Sequence, residues 1–260
     1  MTAIRRFSAG VVDYDGVIAA NYPAGRALSR EAALTWRRAV EPFIPRRSAL
    51  TILDLGAGTG RFSALLADIR GARVIGVEPS QGMLRVAMQH ASPVAYVCGC
   101  AEAIPLGDRS CDLAWMSHVL HHVRDRAACA RELHRLLVPG GRVLVRGTFA
   151  NRLDGFPTLF RFFPGARRIC EDLPTTGETA TVFEVAGFTL EAHQQIQQST
   201  CESLSEFADR TRKRADTSLA LLSDYEFQAG LAALEKAAAE ETEPAPVRET
   251  LDLLVFQGRS

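Results

Sequence analysis

The chain has 260 residues, with 30 Lys plus Arg and 30 Asp plus Glu, so its formal net charge is zero and its isoelectric point lies near 7.0. This length suits one α/β domain with a substantial core, and the charge balance gives no electrostatic case for a nucleic-acid partner. The sequence shows no apolar run as long as a membrane span and no hydrophobic signal core, so we expect a cytoplasmic protein without membrane contact.

The first predicted element is a helix over Glu31–Val40, where apolar residues recur at helical spacing. Pro42 and Pro45 close this segment before the first strand. Ahead of the helix lies a turn-rich stretch, residues 14–26, with two tyrosines and an arginine. The first fifty residues are therefore predicted to lie outside the sheet.

A strand, a glycine-rich turn and a helix are predicted next. The strand covers Thr51–Leu55, and the helical pattern covers Phe62–Ile69. Three glycines separate them: Gly56, Gly58 and Gly60. Glycines let the backbone approach a ligand closely, and a helix N-terminus favours a carboxylate or phosphate. The segment therefore predicts a cofactor cradle.

The acidic residue Glu78 ends the second apolar run, residues 74–78, where it is placed to accept hydrogen bonds from a ribose diol. A nicotinamide fingerprint, G-x-G-x-x-G, needs a third glycine where this chain has Arg61. Instead the glycines run G-x-G-x-G, two residues after Asp54. The segment 54–60 with Glu78 resembles the first motif of class I S-adenosylmethionine-dependent methyltransferases. The resemblance implies an α/β fold, with a Rossmann-like, mostly parallel seven-stranded sheet and helices on both faces.

The resemblance covers residues 50–150 and implies S-adenosyl-L-methionine as the cofactor. Ser80 is predicted to cap a helix over Gln81–His90, and a third strand covers Val94–Cys98. In the family the next segment usually reads Gly-Asp-Ala-Glu-x-Leu-Pro and lines the adenine. Here Cys100 replaces the aspartate, which removes a possible acceptor for the adenine amino group. The cofactor residues implied in this part of the chain are Asp54, Gly56, Ala57, Gly58, Glu78, Pro79, Ser80, Met83, Cys100, Ala101 and Glu102.

The fourth strand, predicted over Cys111–Met116, is followed by Ser117 and three histidines. This part resembles the corresponding segment of ubiquinone and menaquinone C-methyltransferases. The resemblance implies that Ser117 and His122 contact the cofactor, or that His122 fixes the loop. His118 and His121 are candidate bases for deprotonating an acceptor, since imidazole is the usual base near neutral pH. A purely structural role is the alternative for each histidine.

Three histidines in one short segment also raise the question of a metal site. No carboxylate cluster accompanies them beyond Asp125, so we predict no metal. The six cysteines contain no C-x-x-C pair and are expected to be free thiols in a reducing compartment.

By the same resemblance, the N-terminal segment folds over the cofactor as a flap. Arg26 would then pair with the methionine carboxylate, because a guanidinium offers a bidentate match. Tyr14 would also contact the cofactor, and Tyr22 would contact the substrate. The alternative for Arg26 is a surface arginine that begins a helix.

An insertion between the fifth strand and the next helix, residues 150–176, is rich in phenylalanine. Loops over the C-terminal ends of parallel strands commonly build the substrate site. Aromatic rings there would stack on a flat substrate, or they would form the core of a lid. The predicted substrate contacts in and beside the insertion are Phe149, Phe156, Phe160 and Phe163.

The remaining elements complete one domain, residues 1–260. It comprises a flap (1–48), a cofactor-binding core (49–149), the lid (150–176) and the C-terminal part of the sheet (177–260). A long helical excursion before the last strand suits a sheet whose final strand inserts antiparallel. The predicted elements are a helix over Arg126–Leu137 ended by Pro139–Gly141, a strand over Arg142–Thr148, a helix over Glu178–Ala186, a strand over Thr189–Gln198, helices over 203–213 and 223–240, and a strand over Leu251–Gln257.

The resemblance implies in-line methyl transfer to a small-molecule substrate, an aromatic or secondary-metabolite acceptor such as a quinone or phenol. The Asn/Asp-Pro-Pro-Tyr motif of DNA amino-methyltransferases is absent after the fourth strand, where the chain reads Ser117-His-Val-Leu120. The alternative is a protein of the same fold that binds the cofactor without transferring its methyl, as a cyclase or a non-catalytic partner. We expect a monomer or homodimer.

Overall fold

The computed structural model describes Asp15 and residues 28–89 and 92–259. In this part of the chain the strands are β1 Thr51–Leu55, β2 Arg73–Glu78, β3 Val94–Cys98, β4 Cys111–Ser117, β5 Leu137–Gly147, β6 Phe188–Cys201 and β7 Val247–Gly258. They form one seven-stranded sheet in the order β3-β2-β1-β4-β5-β7-β6. β1 to β5 run parallel, and β7 is antiparallel to both β5 and β6. The expected fold class and the antiparallel insertion of the last strand are confirmed.

Helices cover both faces of the sheet. They are α1 Arg30–Val40, α2 Arg61–Ala67, α3 Gln81–Met88, α4 Arg126–Leu136, α5 Pro157–Phe162, α6 Pro164–Cys170, α7 Thr176–Val185, α8 Leu204–Thr211, α9 Thr217–Ala220 and α10 Asp224–Ala239. Ser80 caps α3 and Asp125 caps α4, each by accepting a backbone N–H three residues ahead. Among the described residues, no helix combines the length and apolar character needed to cross a bilayer.

Two hydrophobic clusters bury the two faces of the sheet. One holds Trp36, Leu66 and Trp115 together with the lid helices α5 and α6. The other holds Leu133 of α4 and Phe183 of α7. Because both faces are covered, the central parallel strands are mostly apolar instead of alternating regularly with polar residues.

The segment Pro139–Gly141 differs from its prediction. We expected it to end a helix ahead of the fifth strand, but β5 begins at Leu137 and contains all three residues. The pairing of β4 with β5 shifts its register between Cys111 and Leu113. Such an irregularity interrupts the regular ladder of hydrogen bonds, which suits a proline without an N–H group to donate.

The lid contains more regular secondary structure than we predicted, and the last two strands are longer than we predicted. Residues 150–176 form a 3-10 segment, Ala150–Gly155, and the helices α5 and α6. β6 and β7 pair over their whole length as an antiparallel ribbon. Backbone hydrogen bonds hold this ribbon whatever its side chains are, so its polar ends carry no apolar signal in the sequence.

Candidate functional site

The glycine turn between β1 and α2 is closed on one side and open on the other. Gly56, Gly58 and Gly60 have φ values of +69°, +56° and +77°, a region that favours glycine. A Cβ at Gly56 would collide with Val119, and one at Gly60 would collide with Tyr96. A Cβ at Gly58 would meet nothing within 4 Å. The turn therefore leaves open space for a ligand at Gly58.

The carboxylate of Glu78, at the end of β2, is fixed beside this turn. Its Oε2 accepts the Gly58 N–H at 2.9 Å, and its Oε1 accepts the Ser80 N–H at 2.9 Å. Burial raises the pKa of Glu78, and these two hydrogen bonds oppose that rise. Each carboxylate oxygen retains a further lone pair, so the group can accept additional hydrogen bonds, and its contact with a ribose diol stays a prediction.

Asp54 lies at the end of β1, beneath the turn, and is 2% exposed. Ser63 Oγ donates to Asp54 Oδ2 at 2.6 Å, and Tyr96 lies close to Ser63. Burial raises the pKa of Asp54 to about 7, against the opposing hydrogen bond from Ser63. This carboxyl group therefore changes its charge near neutral pH.

One described residue of the N-terminal segment, Asp15, contacts the start of α3. Its Oδ1 accepts the Ser80 hydroxyl and the Gly82 N–H, each at 2.8 Å, and the latter bond contributes most to lowering the Asp15 pKa. A Cβ at Gly82 would lie 2.7 Å from the Asp15 carbonyl oxygen. Asp15 therefore lies against the N-terminus of α3. The predicted N-terminal site residues, Tyr14, Tyr22 and Arg26, lie outside the described residues.

The three histidines occupy the turn between β4 and α4. His118 adopts a left-handed conformation with φ of +56°, and its N–H donates to the Arg146 carbonyl at 2.9 Å. The rings of His121 and His122 lie with centroids 4.0 Å apart. Within residues 15, 28–89 and 92–259, no group of three His, Cys, Asp or Glu side chains could hold a metal ion. The structure brings the two candidate bases to the end of β4, as expected.

The segment after β3 is tied to this same turn by Glu102. Its Oε1 accepts the N–H groups of Arg124 and Asp125, at 2.9 and 3.3 Å. Cys100 is an exposed free thiol and Ala101 is buried. Glu102 therefore positions the loop that carries the histidines, and its contact with a cofactor stays a prediction, as do those of Cys100 and Ala101.

The predicted aromatic substrate residues lie on both faces of the sheet. Phe149, 2% exposed, belongs to the cluster with α4 and α7. Phe163, 1% exposed, stacks on Phe227 of α10 with ring centroids 6.0 Å apart. Phe156 is buried and packs against the half-buried Phe160 at 5.7 Å. These rings contribute to the core, and their contact with a substrate stays a prediction.

Sequence reasoning missed Arg146, a residue of β5 that is 2% exposed. Its guanidinium donates to Ser117 Oγ at 3.0 Å and to Gln198 Oε1 at 3.2 Å. It also lies over the rings of Trp36 and Phe62, at 4.5 and 5.0 Å from their centroids. The available signal was an arginine that directly follows the apolar run 143–145 near the end of a strand.

Residues 53–145, which contain the glycine turn, Glu78 and the histidine turn, match the family model described as a methyltransferase domain. A demethylmenaquinone methyltransferase from Streptomyces griseus subsp. griseus is 36% identical over 133 residues, which cover 51% of this chain and 57% of that protein. The chain spans about half the length of the curated relatives it matches.

Two solved structures extend the likeness over most of the chain. The [4+2]-cyclase SpnF is 20% identical, with a TM-score of 0.61 over 90% of this chain and 84% of that one. A candidate methyltransferase from an antibiotic biosynthesis pathway of Anabaena variabilis is 19% identical, with a TM-score of 0.69 over 89% and 99% of the two chains. At these identities the likeness shows the fold alone.

Proposed function

We propose that this chain, which matches a methyltransferase-domain model over residues 53–145, is a class I methyltransferase that transfers the methyl group of S-adenosylmethionine to a small-molecule acceptor. The observation that carries this proposal is the Glu78 carboxylate, held by the N–H groups of Gly58 and Ser80 beside an open glycine turn. A diol is the ligand group that such a fixed pair of acceptors suits.

The residues around the turn fit such a cofactor. Gly58 has no side chain, so a ligand can approach the protein backbone closely at this position. Glu78 would hold the ribose hydroxyls. Asp54, once ionised, places a negative charge near a cofactor that carries ammonium and sulfonium groups. When bound, the cofactor supplies an activated methyl on sulfur, and the protein aligns the acceptor with it.

His118 and His121 are the candidate proton acceptors for a hydroxyl or acidic carbon. Their support is position, since both lie directly after β4, at the edge of the sheet where the turn and Glu78 also lie. A base is required only if the acceptor must lose a proton before it attacks.

A small, flat and partly apolar acceptor is the substrate class we favour. A relative at 36% identity is named as acting on demethylmenaquinone, and the lid over the sheet is rich in phenylalanine. Aromatic side chains stack on flat ligands and exclude water.

A second candidate is cofactor-dependent chemistry without methyl transfer, because one structural neighbour is named as a [4+2]-cyclase. An incubation with methyl-labelled S-adenosylmethionine distinguishes methyl transfer from this second candidate. The protein is given quinols and phenols as methyl acceptors and linear polyenes as substrates for cyclisation. Labelled product supports methyl transfer, whereas product formed without consumption of the donor supports the alternative. Failure of the purified protein to bind S-adenosylmethionine in calorimetry would overturn both.

A further inference from the structure

Arg146 places a positive charge inside the protein, near the edge of the sheet formed by the C-terminal ends of the parallel strands. Burial of a guanidinium is costly unless hydrogen bonds and neighbouring groups compensate for lost water. Its described contacts are the hydroxyl of Ser117, the amide of Gln198 and the faces of Trp36 and Phe62. A residue buried in this way has a defined orientation.

Gln198 fixes that orientation. Its Oε1 accepts from Arg146 Nη2 at 3.2 Å and also from Trp36 Nε1 at 2.6 Å. The guanidinium is thus held between a shared amide oxygen and two aromatic rings, which attract a cation. Its Nη1 is left pointing at Ser117 Oγ.

The Arg146 contact decides how the Ser117 hydroxyl is used. A guanidinium has five N–H donors and no acceptor, so Ser117 Oγ must accept this bond, and its own hydrogen is directed elsewhere. None of the residues at 15, 28–89 and 92–259 accepts that hydrogen. A hydroxyl that accepts from a cation is also a stronger donor.

The half-buried Ser117 lies between the two parts of the candidate site. It ends β4 directly before His118, whose N–H donates to the carbonyl of Arg146. Phe62, which contacts Arg146, follows the glycine turn by two residues. A ligand group at Ser117 would therefore lie close to both the cofactor turn and the histidine turn.

We propose that Ser117, positioned and polarised by Arg146, binds an anionic oxygen at the end of β4: a carboxylate or an ionised phenol or enol. The positive charge behind the hydroxyl favours an anion there and disfavours an ammonium group. Two sources supply this chemistry, the acceptor and the carboxylate of the cofactor. The inference rests on the proposed function, because it takes the glycine turn as the place of the cofactor.

The test uses two pairs of probes that differ in one anionic group. S-adenosylhomocysteine and its decarboxylated analogue report the carboxylate of the cofactor. For the acceptor, 4-hydroxybenzoate and its amide are titrated into protein saturated with S-adenosylhomocysteine. We expect Ser117→Ala to weaken binding of the member that carries the carboxylate in one pair by about 10- to 100-fold, while the member without it changes little.

Companion variants separate this role from a structural one. Ser117→Thr keeps the hydroxyl and should retain most of the preference for the anion, whereas Arg146→Met should reduce it. Arg142→Met is the matched control, because Arg142 lies on the same strand but pairs with Glu191. Unfolding curves identify any variant that fails to fold, and Ser117→Ala keeps the test valid if Arg146→Met does.

The results assign the source or reject the inference. Loss confined to S-adenosylhomocysteine identifies the carboxylate of the cofactor, and loss confined to 4-hydroxybenzoate identifies the acceptor. If Ser117→Ala leaves the preference for the anion unchanged in both pairs, the inference is wrong, even where Glu78→Gln weakens both adenosyl ligands and thereby supports the proposed function. If the wild-type protein binds neither adenosyl ligand, the proposed function itself fails.

Discussion

The hydroxyl group of Tyr96 occupies the space that a side chain at Gly60 would need. Two constraints therefore require glycine at position 60: this contact with Tyr96, and a φ of +77° that disfavours other residues. The same tyrosine lies close to Ser63, which donates to Asp54. The back of the glycine turn is thus closed by a tyrosine that also lies near the buried carboxyl group.

Gly60→Ala should destabilise the protein more than Gly58→Ala. Both residues have positive φ, and that strain costs about 1–2 kcal/mol for alanine. Only Gly60 adds a collision with Tyr96, while the space at Gly58 is open. Urea unfolding of the two variants measures the difference in free energy of unfolding.

The Tyr96→Phe background provides the control. Without the hydroxyl, the extra cost of Gly60→Ala over Gly58→Ala should shrink. Equal costs for the two alanine variants in the wild-type background would contradict this account of the turn.

Glu78→Gln should weaken binding of S-adenosylmethionine by about 1.5–3 kcal/mol, the range for a hydrogen bond to a charged group. The amide also sets an NH₂ group against one of the two N–H donors that hold the carboxylate. Calorimetry measures the change, with Glu191→Gln on β6 as the control. Unchanged affinity would mean that the ribose is held elsewhere, and NADH binding of similar strength would argue against this cofactor class.

Asp54→Asn should flatten the dependence of stability on pH. The pKa of Asp54 is about 7 in the folded protein, above its ordinary value of 3.8. Between these values the unfolded chain has lost the proton that the folded chain keeps, so the free energy of unfolding falls as pH rises. Relative to wild type, the variant should therefore gain stability from about pH 5 to about pH 8. Thermal unfolding at both pH values tests this, and parallel curves would show that Asp54 is ionised throughout.

His118→Asn and His121→Ala should each be tested for loss of turnover once an acceptor is known. A general base contributes about 10²–10⁴-fold, and the acidic limb of the pH–rate profile should disappear with it. Asparagine is chosen at position 118 because it tolerates the left-handed conformation found there. Affinity for the cofactor should change little. Near-full turnover in both variants would assign the histidines a structural role.

Phe163→Ala should lower the free energy of unfolding more than Phe160→Ala, because Phe163 lies in the core of the lid and Phe160 lies nearer its surface. Phe163 is 1% exposed and stacked on Phe227, so its truncation should cost about 3–5 kcal/mol of unfolding free energy. Phe160 is half-buried, so its truncation should cost less. Urea unfolding gives both values, and acceptor KM shows which ring contacts the substrate. A larger loss at Phe160 would place the core of the lid elsewhere.

Several features of the site followed from the sequence because short segments of chain dictate them. Gly56–Gly60 must adopt left-handed conformations that only glycine enters readily, and Glu78 ends an apolar run at a fixed distance from them. The caps Ser80 and Asp125 are equally local, since each bonds to an N–H three residues ahead. Turn conformations and helix caps of this kind depend only on residues that are close together in the sequence.

The sequence therefore determined the fold class, the glycine turn beside Glu78 and the position of the histidine turn. Tertiary structure alone decided that Pro139–Gly141 enters a strand and that a buried arginine supports Ser117. Arg146 is separated by 29 residues from Ser117 and by 52 from Gln198, and Trp36 by 162 from Gln198. These contacts depend on the order and register of the strands and on the helix packed over them, which no local pattern of residues encodes.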